Sequence, residues 1–329
     1  MRGQYSPPYT ISDQAVNLIA SIIEMIENIS VDRPIQSNPK LRRNNRIKTI
    51  HASLAIENNS LSLDQVTDII NGKRVLGPPN EIQEVKNAYE TYELLLAFDP
   101  YSYQDLLKAH AILMKDLVKE AGQYRAGGVG VFAGKQLVHM APPPQRVPQL
   151  INELIGWIRS APVHPLVKSC VFHYEFEFIH PFMDGNGRMG RMWQTLLLCK
   201  WKPVFAWLPI ETIIKERQDE YYRVLGEADR VGDSGKFIEF MLQAIRDTLQ
   251  EIISTEQVCV QVTDQVARLL KAIGNEVLSA KELMDRVGIR HRPTFRENYL
   301  LPALNAGLIE MTVPDKPNSS KQKYRAGVR

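Results

Sequence analysis

Apolar side chains in this chain recur at three- and four-residue spacing in nearly every segment that shows a period at all. Val16, Ile19, Ile23 and Ile26 set the pattern and predict a helix over about 12–29. The same spacing predicts helices near 40–56, 80–98, 102–118, 145–159, 163–178, 187–201, 211–230 and 236–255. Asn58 and Asn59 tolerate the left-handed turn that closes a helix, so the second of these should end there. Ser62 with Gln65 three residues on has the form of a capping box, opening a short helix that Asn71-Gly72 ends. A chain patterned this way folds by packing helix on helix: the expected class is mainly α.

One segment breaks the period. Residues 129–140 are β-prone on both sides of Gly134 and are stopped by Pro142-Pro143-Pro144, which reads as a single hairpin. An isolated hairpin is marginal, so it packs on a helix or awaits a partner strand. From about 256 the pattern changes again. A helix over 263–273, a capped short helix from Ser279, a third helix over about 293–307 and two β-prone pieces, 308–313 and 323–325, make a winged-helix module. The expected division is a helical region over 1–110, a core with its hairpin over 111–255 and the winged helix over 256–329, with the boundary near 254–262.

Composition narrows the class. The 40 basic and 37 acidic residues leave a net charge of +3, too small for a nucleic-acid protein overall. Residues 281–329 carry a local excess of basic residues, however, including Arg290, Arg292 and Arg296, with His291 among them. These are candidate DNA contacts at the start of the third helix of the module, with Lys321, Lys323 and Arg325 on its wing. Dimer contact or docking of a protein is an equally good use for such a module. Cys170, Cys199 and Cys259 lack metal or redox spacing, and the first two fall in apolar helical patterns as buried thiols. No apolar run approaches a membrane span and the N-terminus has no signal core, so the expected location is cytoplasmic.

The chemistry concentrates in the dozen residues from His180 to Arg191. Histidine is the side chain that ordinarily titrates near neutrality, so His180 is the candidate to accept a proton from a hydroxyl. Phe182 should turn inward as an anchor. Asp184 is a hard oxygen ligand of the kind Mg²⁺ takes. Gly185-Asn186-Gly187 clears side-chain bulk where backbone N–H groups approach an anion at a helix start. Arg188 and Arg191, three apart, share a helix face and suit phosphate oxygens. A glycine-rich turn with solvated arginines would explain any one of these residues, but not all of them together.

This dozen resembles the Fic-family signature, His-Pro-Phe-x-(Asp/Glu)-Gly-Asn-Gly-Arg-x-x-Arg, at every specified position. Gly122-Gln123-Tyr124-Arg125, the hairpin and the three prolines resemble the family's flap region, so the likeness spans about 40–230. The resemblance implies a Fic-type helical core and a protein AMP-transferase that uses ATP with Mg²⁺ and modifies a Ser, Thr or Tyr hydroxyl of a protein. It implies His180 as base, Asp184 as Mg²⁺ ligand, Gly185, Asn186 and Gly187 at an anion hole, and Arg188 and Arg191 on the β- and γ-phosphates. Gly187, where phosphate-transferring relatives carry lysine, favours AMP transfer.

Ser53-Leu54-Ala55-Ile56-Glu57-Asn58 resembles the family's inhibitory motif, on a helix of about 40–58. The resemblance implies that Glu57 pairs with Arg191 and tilts ATP out of its productive pose, with AMP removal as a further activity. On the flap, Val131, Phe132, Leu137 and Val138 are the candidates for holding a target segment by strand pairing. His139 reads as a flap side chain and His173 as packing. A homodimer is among the partners the resemblance suggests. The alternative function is a DNA-binding regulator that uses the Fic core as a nucleotide sensor.

Overall fold

Two helices, Pro165–Ile179 and Asn186–Trp201, are buried on nearly every side and set the architecture. A helix without a polar face belongs at the centre of a helical protein, and here both do. The structure, a computed structural model, describes residues 5–32, 39–133, 136–274, 276–305, 308–313, 319 and 322–326. Its chain divides into two compact units, Met1–Gln250 and Glu251–Arg329.

In chain order the first unit holds α1 (Asp13–Asp32), α2 (Pro39–Ile56), α3 (Leu63–Ile70), α4 (Pro79–Glu93) and α5 (Tyr103–Leu113). The hairpin follows as β1 (Gly130–Ala133) and β2 (Gln136–Met140), paired antiparallel with an irregularity between Val131 and Phe132. Then come α6 (Val147–Ser160), the central pair α7 (Pro165–Ile179) and α8 (Asn186–Trp201), α9 (Ile210–Glu216) and α10 (Gln218–Val231). The helix α11 (Gly235–Ile273) runs on for 39 residues. The expected capping box is present: the Ser62 hydroxyl accepts from Gln65 N, while the Gln65 side chain accepts from Ser62 N.

Two expectations are corrected. The single helix over 211–230 is broken at Arg217, whose φ −111° and ψ 35° leave the helical region. The two helices over 236–255 and 263–273 are one, because no glycine or proline lies between them to stop propagation. The side chains of 255–263, Cys259 included, lie outside the described residues.

The second unit has its own core, in which Leu269, Ile273, Leu283 and Ala303 are fully buried. Its helices are α12 (Ala280–Val287) and α13 (Arg292–Phe295), which passes through a π-turn (Arg296–Leu300) into α14 (Leu301–Asn305). The two expected strands are present as β4 (Ile309–Met311) and β5 (Lys323–Ala326). A third, β3 (Leu278–Ser279), joins them in the order β3-β5-β4, with Tyr324 at the centre facing Leu278 on one side and Met311 on the other. Two residues are too few to show a strand period, which is why β3 is invisible in the sequence. The residues joining β4 to β5, except Thr312, Val313, Ser319 and Gln322, lie outside the described residues, Lys321 among them.

Candidate active site

The turn between α7 and α8 is held in place from four directions. Phe182 is fully buried and lies flat on His110 of α5, ring centroids 3.6 Å apart. Asn186 staples the turn: its amide nitrogen donates to Phe182 O and its amide oxygen accepts from Phe182 N, both at 2.9 Å. The Asn186 side chain therefore shapes the loop, and the anion-facing donors left to it are backbone N–H groups opening α8. Gly185 has φ +82°, and a Cβ there would lie 2.6 Å from Met114 Sδ.

His110 shows its tautomer by its partners. Its Nδ1 accepts from Gly122 N at 2.9 Å, so Nε2 carries the proton and donates to Asp184 O at 3.0 Å. It thus ties the segment leading to the flap to the signature loop. Burial pushes its pKa down to about 4, with the carbonyl of Asp184 opposing, while burial takes that of His173 to about 3. Both are neutral in the fold, and the unfolded chain binds protons first as pH falls below about 6.5. Their stabilising contribution is therefore complete near neutrality and is lost as pH falls toward the folded values. Each should cost about 2 kcal/mol between pH 7 and pH 5. Thermal melts at the two pH values should show that loss, with a smaller fall in a His110→Asn variant.

Arg125, only 2% exposed, organises the other side. Its guanidinium donates to His180 O at 2.7 Å, Gly127 O at 2.9 Å, Pro142 O at 2.5 Å and Ile179 O at 3.3 Å. Gly127 and Pro142 are the two ends of the flap segment, so one buried cation joins the flap's base to the end of α7. His180 itself closes α7 with φ 48° and ψ 63°, a left-handed conformation rare for a side chain of this kind. Its Nδ1 is 3.3 Å from Glu177 O. A carbonyl only accepts, so Nδ1 carries the proton and Nε2 carries the lone pair, the arrangement a general base needs.

The two arginines are both buried and both answered by carboxylates. Arg188 donates to Glu84 Oε1 at 2.8 Å and to Asp184 Oδ1 at 3.0 Å, and its Nε is buried without a partner. Arg191 donates to Glu57 Oε1 at 2.7 Å, to Ser53 O at 3.0 Å and to Ser53 Oγ at 3.1 Å. Burial works against the charge on Arg191, but the charge and hydrogen bond of Glu57 outweigh it and hold the guanidinium above its ordinary pKa. Glu177 is pushed up to about 8 by burial, against the pull of Arg191. It is largely protonated at neutral pH, which leaves Glu57 as the charged partner of Arg191. A Cβ at Gly187 would collide with the Glu57 carboxylate, so glycine here admits either that carboxylate or an anion.

The structure thus brings His180, Asp184, Gly185, Asn186, Gly187, Arg188, Arg191, Ser53 and Glu57 together. His173 is packed as expected, but it also lies between Gln194 Oε1 at 2.6 Å and Tyr221 Oη at 3.0 Å. Cys170 and Cys199 are buried free thiols. The flap strands form, while the side chains of Val131, Phe132, Leu137, Val138 and His139 lie outside the described residues. Sequence reading missed Glu84, His110 and the role of Arg125. Each lies on another element and carries no local pattern; Arg125 stood in a quoted tetrapeptide with nothing to say what it held. Among the described residues no three His, Cys, Asp or Glu side chains converge on a metal position. The half-exposed Asp184 carboxylate suits a cation held mainly by phosphate oxygens and water.

A histidine on a left-handed helix end, followed six residues on by a glycine-rich helix start whose first turns carry two buried arginines, defines the site on this helical scaffold. Residues 100–198 match the Fic/DOC family, and 264–327 match the C-terminal domain of Filamentation induced by cAMP protein Fic-like. A Fic family protein from Desulfovibrio desulfuricans G20 is 57% identical, with 99% of each chain covered and a TM-score of 0.77. The chain belongs to the Fic family. Fic-1 from C. elegans, 19% identical with a TM-score of 0.62 over 74% of this chain and 73% of its own, shares the fold. Proteins named protein adenylyltransferase Fic are similar in sequence: that of Nematostella vectensis is 28% identical over 218 residues and that of Culex quinquefasciatus 30% over 214. The matches cover 63% and 62% of this chain and 48% and 41% of those relatives, so the chain spans under half their length. No helix among the described residues is long and apolar enough to cross a membrane.

Proposed function

We propose that this protein transfers AMP from ATP to a Ser, Thr or Tyr hydroxyl of a polypeptide and is held off by its own Glu57. His180, on the left-handed end of α7 with its Nδ1 against Glu177 O and six residues before the start of α8, carries the first part of this reading. The target O–H gives its proton to His180 Nε2 as its oxygen bonds to the α-phosphorus, and the bond from the α-phosphorus to the bridging oxygen breaks to release pyrophosphate. Backbone N–H groups at the start of α8, with Arg188 and Arg191, neutralise the phosphates, where positioning and charge account for most of such catalysis. Asp184 would hold Mg²⁺, which supplies further charge neutralisation on the phosphates.

The pair between Arg191 and Glu57 supports the second part. A carboxylate at 2.7 Å from that guanidinium stands where a phosphate oxygen would otherwise bind. The names of the similar adenylyltransferases support the reaction class. Incubation with α-labelled ATP and Mg²⁺ tests both parts, through the variants developed in the Discussion. A nucleotide sensor would instead bind ATP and leave every variant unlabelled.

A second reading concerns the C-terminal unit. Arg290, Arg292 and Arg296 are all exposed, and they belong to a helix–strand–helix–helix–strand–strand module of winged-helix order. If they grip duplex DNA by its phosphates, log K should fall with log salt by roughly 0.9 per phosphate neutralised. Replacing all three with alanine should remove about three such contacts. Fluorescence anisotropy with a labelled duplex measures this, and absence of binding at low salt rules it out.

A further inference from the structure

The last carbonyls of a helix have no intrahelical donor and need one from elsewhere. At the end of α2 two are answered by a Schellman turn: Asn59 N donates to Leu54 O at 3.1 Å and Asn58 N to Ala55 O at 3.2 Å, with Asn58 at φ 67°. Two side chains from outside the helix add to these, one as a second donor to Ala55 O and one on the next carbonyl, Ile56 O. Lys215 Nζ donates to Ala55 O at 2.8 Å, and Gln218 Nε2 donates to Ile56 O at 2.9 Å. Lys215 Nζ also donates to Gln218 Oε1 at 2.6 Å, so the ammonium and the amide hold each other as well as the helix end. A cation at this place also meets the negative end of the helix dipole.

Lys215 lies in the last turn of α9 and Gln218 opens α10, three residues apart and on either side of the break. The break falls at Arg217, between them, and Arg217 Nη2 is tied to Asp247 Oδ2 on α11 at 2.6 Å. Lys215 and Gln218 thus hold the two carbonyls that immediately precede Glu57.

We infer that Lys215 and Gln218 form a latch that fixes the last turn of α2 and thereby positions Glu57 over Arg191. This rests on the reading of Glu57 as the inhibitory carboxylate. Among the described residues Lys215 and Gln218 bond to the end of α2 and to each other, not to Arg191 or the signature loop, so losing the latch should free the site rather than damage it. That sign separates the latch from a merely structural role, which would lower activity.

The test uses the full chain carrying Lys215→Met with Gln218→Ala, against wild type, Lys215→Arg and Glu57→Gly. Hydrogen exchange of a peptide spanning 50–58 should speed up about tenfold in the double variant, as expected for loss of one net hydrogen bond's worth of restraint. Labelling from α-labelled ATP should also rise about tenfold. Lys215→Arg, which keeps the cationic donor, should hold both near wild type. Added to Glu57→Gly, loss of the latch should change labelling by less than about twofold, because the same inhibition is already gone. Unchanged exchange would overturn the latch. So would faster exchange with labelling still at the wild-type level while Glu57→Gly is active. If Glu57→Gly itself gains nothing, the autoinhibition reading fails, and exchange alone still judges whether these residues clamp the helix end.

Discussion

Glu57→Gly should raise labelling of the protein and its targets from α-labelled ATP by about ten- to a hundredfold, equivalent to about 1.4–2.7 kcal/mol. In the resting protein the Arg191 guanidinium is 1% exposed and its charge is met by Glu57. Removing one member of a buried pair leaves the other uncompensated, typically at a cost of about 3–5 kcal/mol. An anion entering the site can recover part of that cost, and the γ-phosphate has the charge and geometry to do so. The variant should therefore melt lower than wild type without nucleotide and gain more from added ATP. A glycine at this helix end disturbs little, since the turn is carried by Asn58 in its left-handed conformation. Labelling no higher than wild type, with the fold intact by melting, would remove Glu57 as an inhibitor.

His180→Ala, made in the Glu57→Gly background so that there is activity to lose, should lower labelling by about 10²–10⁴-fold, the range for loss of a positioned general base. The residue also sits at φ 48°, where alanine is strained and asparagine is tolerated. His180→Asn is therefore the sharper variant: it keeps the backbone conformation and removes the base. Both should fall alike if His180 acts through its imidazole. If asparagine restored labelling, the position would matter only for its backbone. ATP affinity should be nearly unchanged in both, because the groups proposed to meet the phosphates belong to α8 and not to His180.

Much of this site could be read in order along the chain. The dozen residues from His180 to Arg191 are contiguous because a helix start supplies backbone donors and one face of its first turns, and both follow from local spacing. The inward turn of Phe182, the asparagine-closed end of α2 and the capping box at Ser62 are likewise local. Glu84, His110 and Arg125 were illegible for the opposite reason. They act on the loop through contacts that span 104, 74 and 55 residues of chain, and a lone Glu, His or Arg on a helix or loop has no pattern to mark it. The missing stop in α11 shows the same limit from the other side. The pattern changes near 256, close to where the chain divides into its two units, yet no glycine or proline there stops the helix.

The sequence by itself determined a mainly helical chain with one hairpin, a base, a hard oxygen ligand and a glycine-rich helix start backed by two arginines. Each of these depends on neighbours within a few turns, where covalent geometry sets the distances. Which carboxylate answers which arginine was decided only by the tertiary structure. Packing of α2 and α4 around α8 brings Glu57 to Arg191 and Glu84 to Arg188, and burial raises Glu177 so that it does not compete. Charge pairing in an interior depends on desolvation and on distances between elements remote in sequence, and neither exists until the helices have packed.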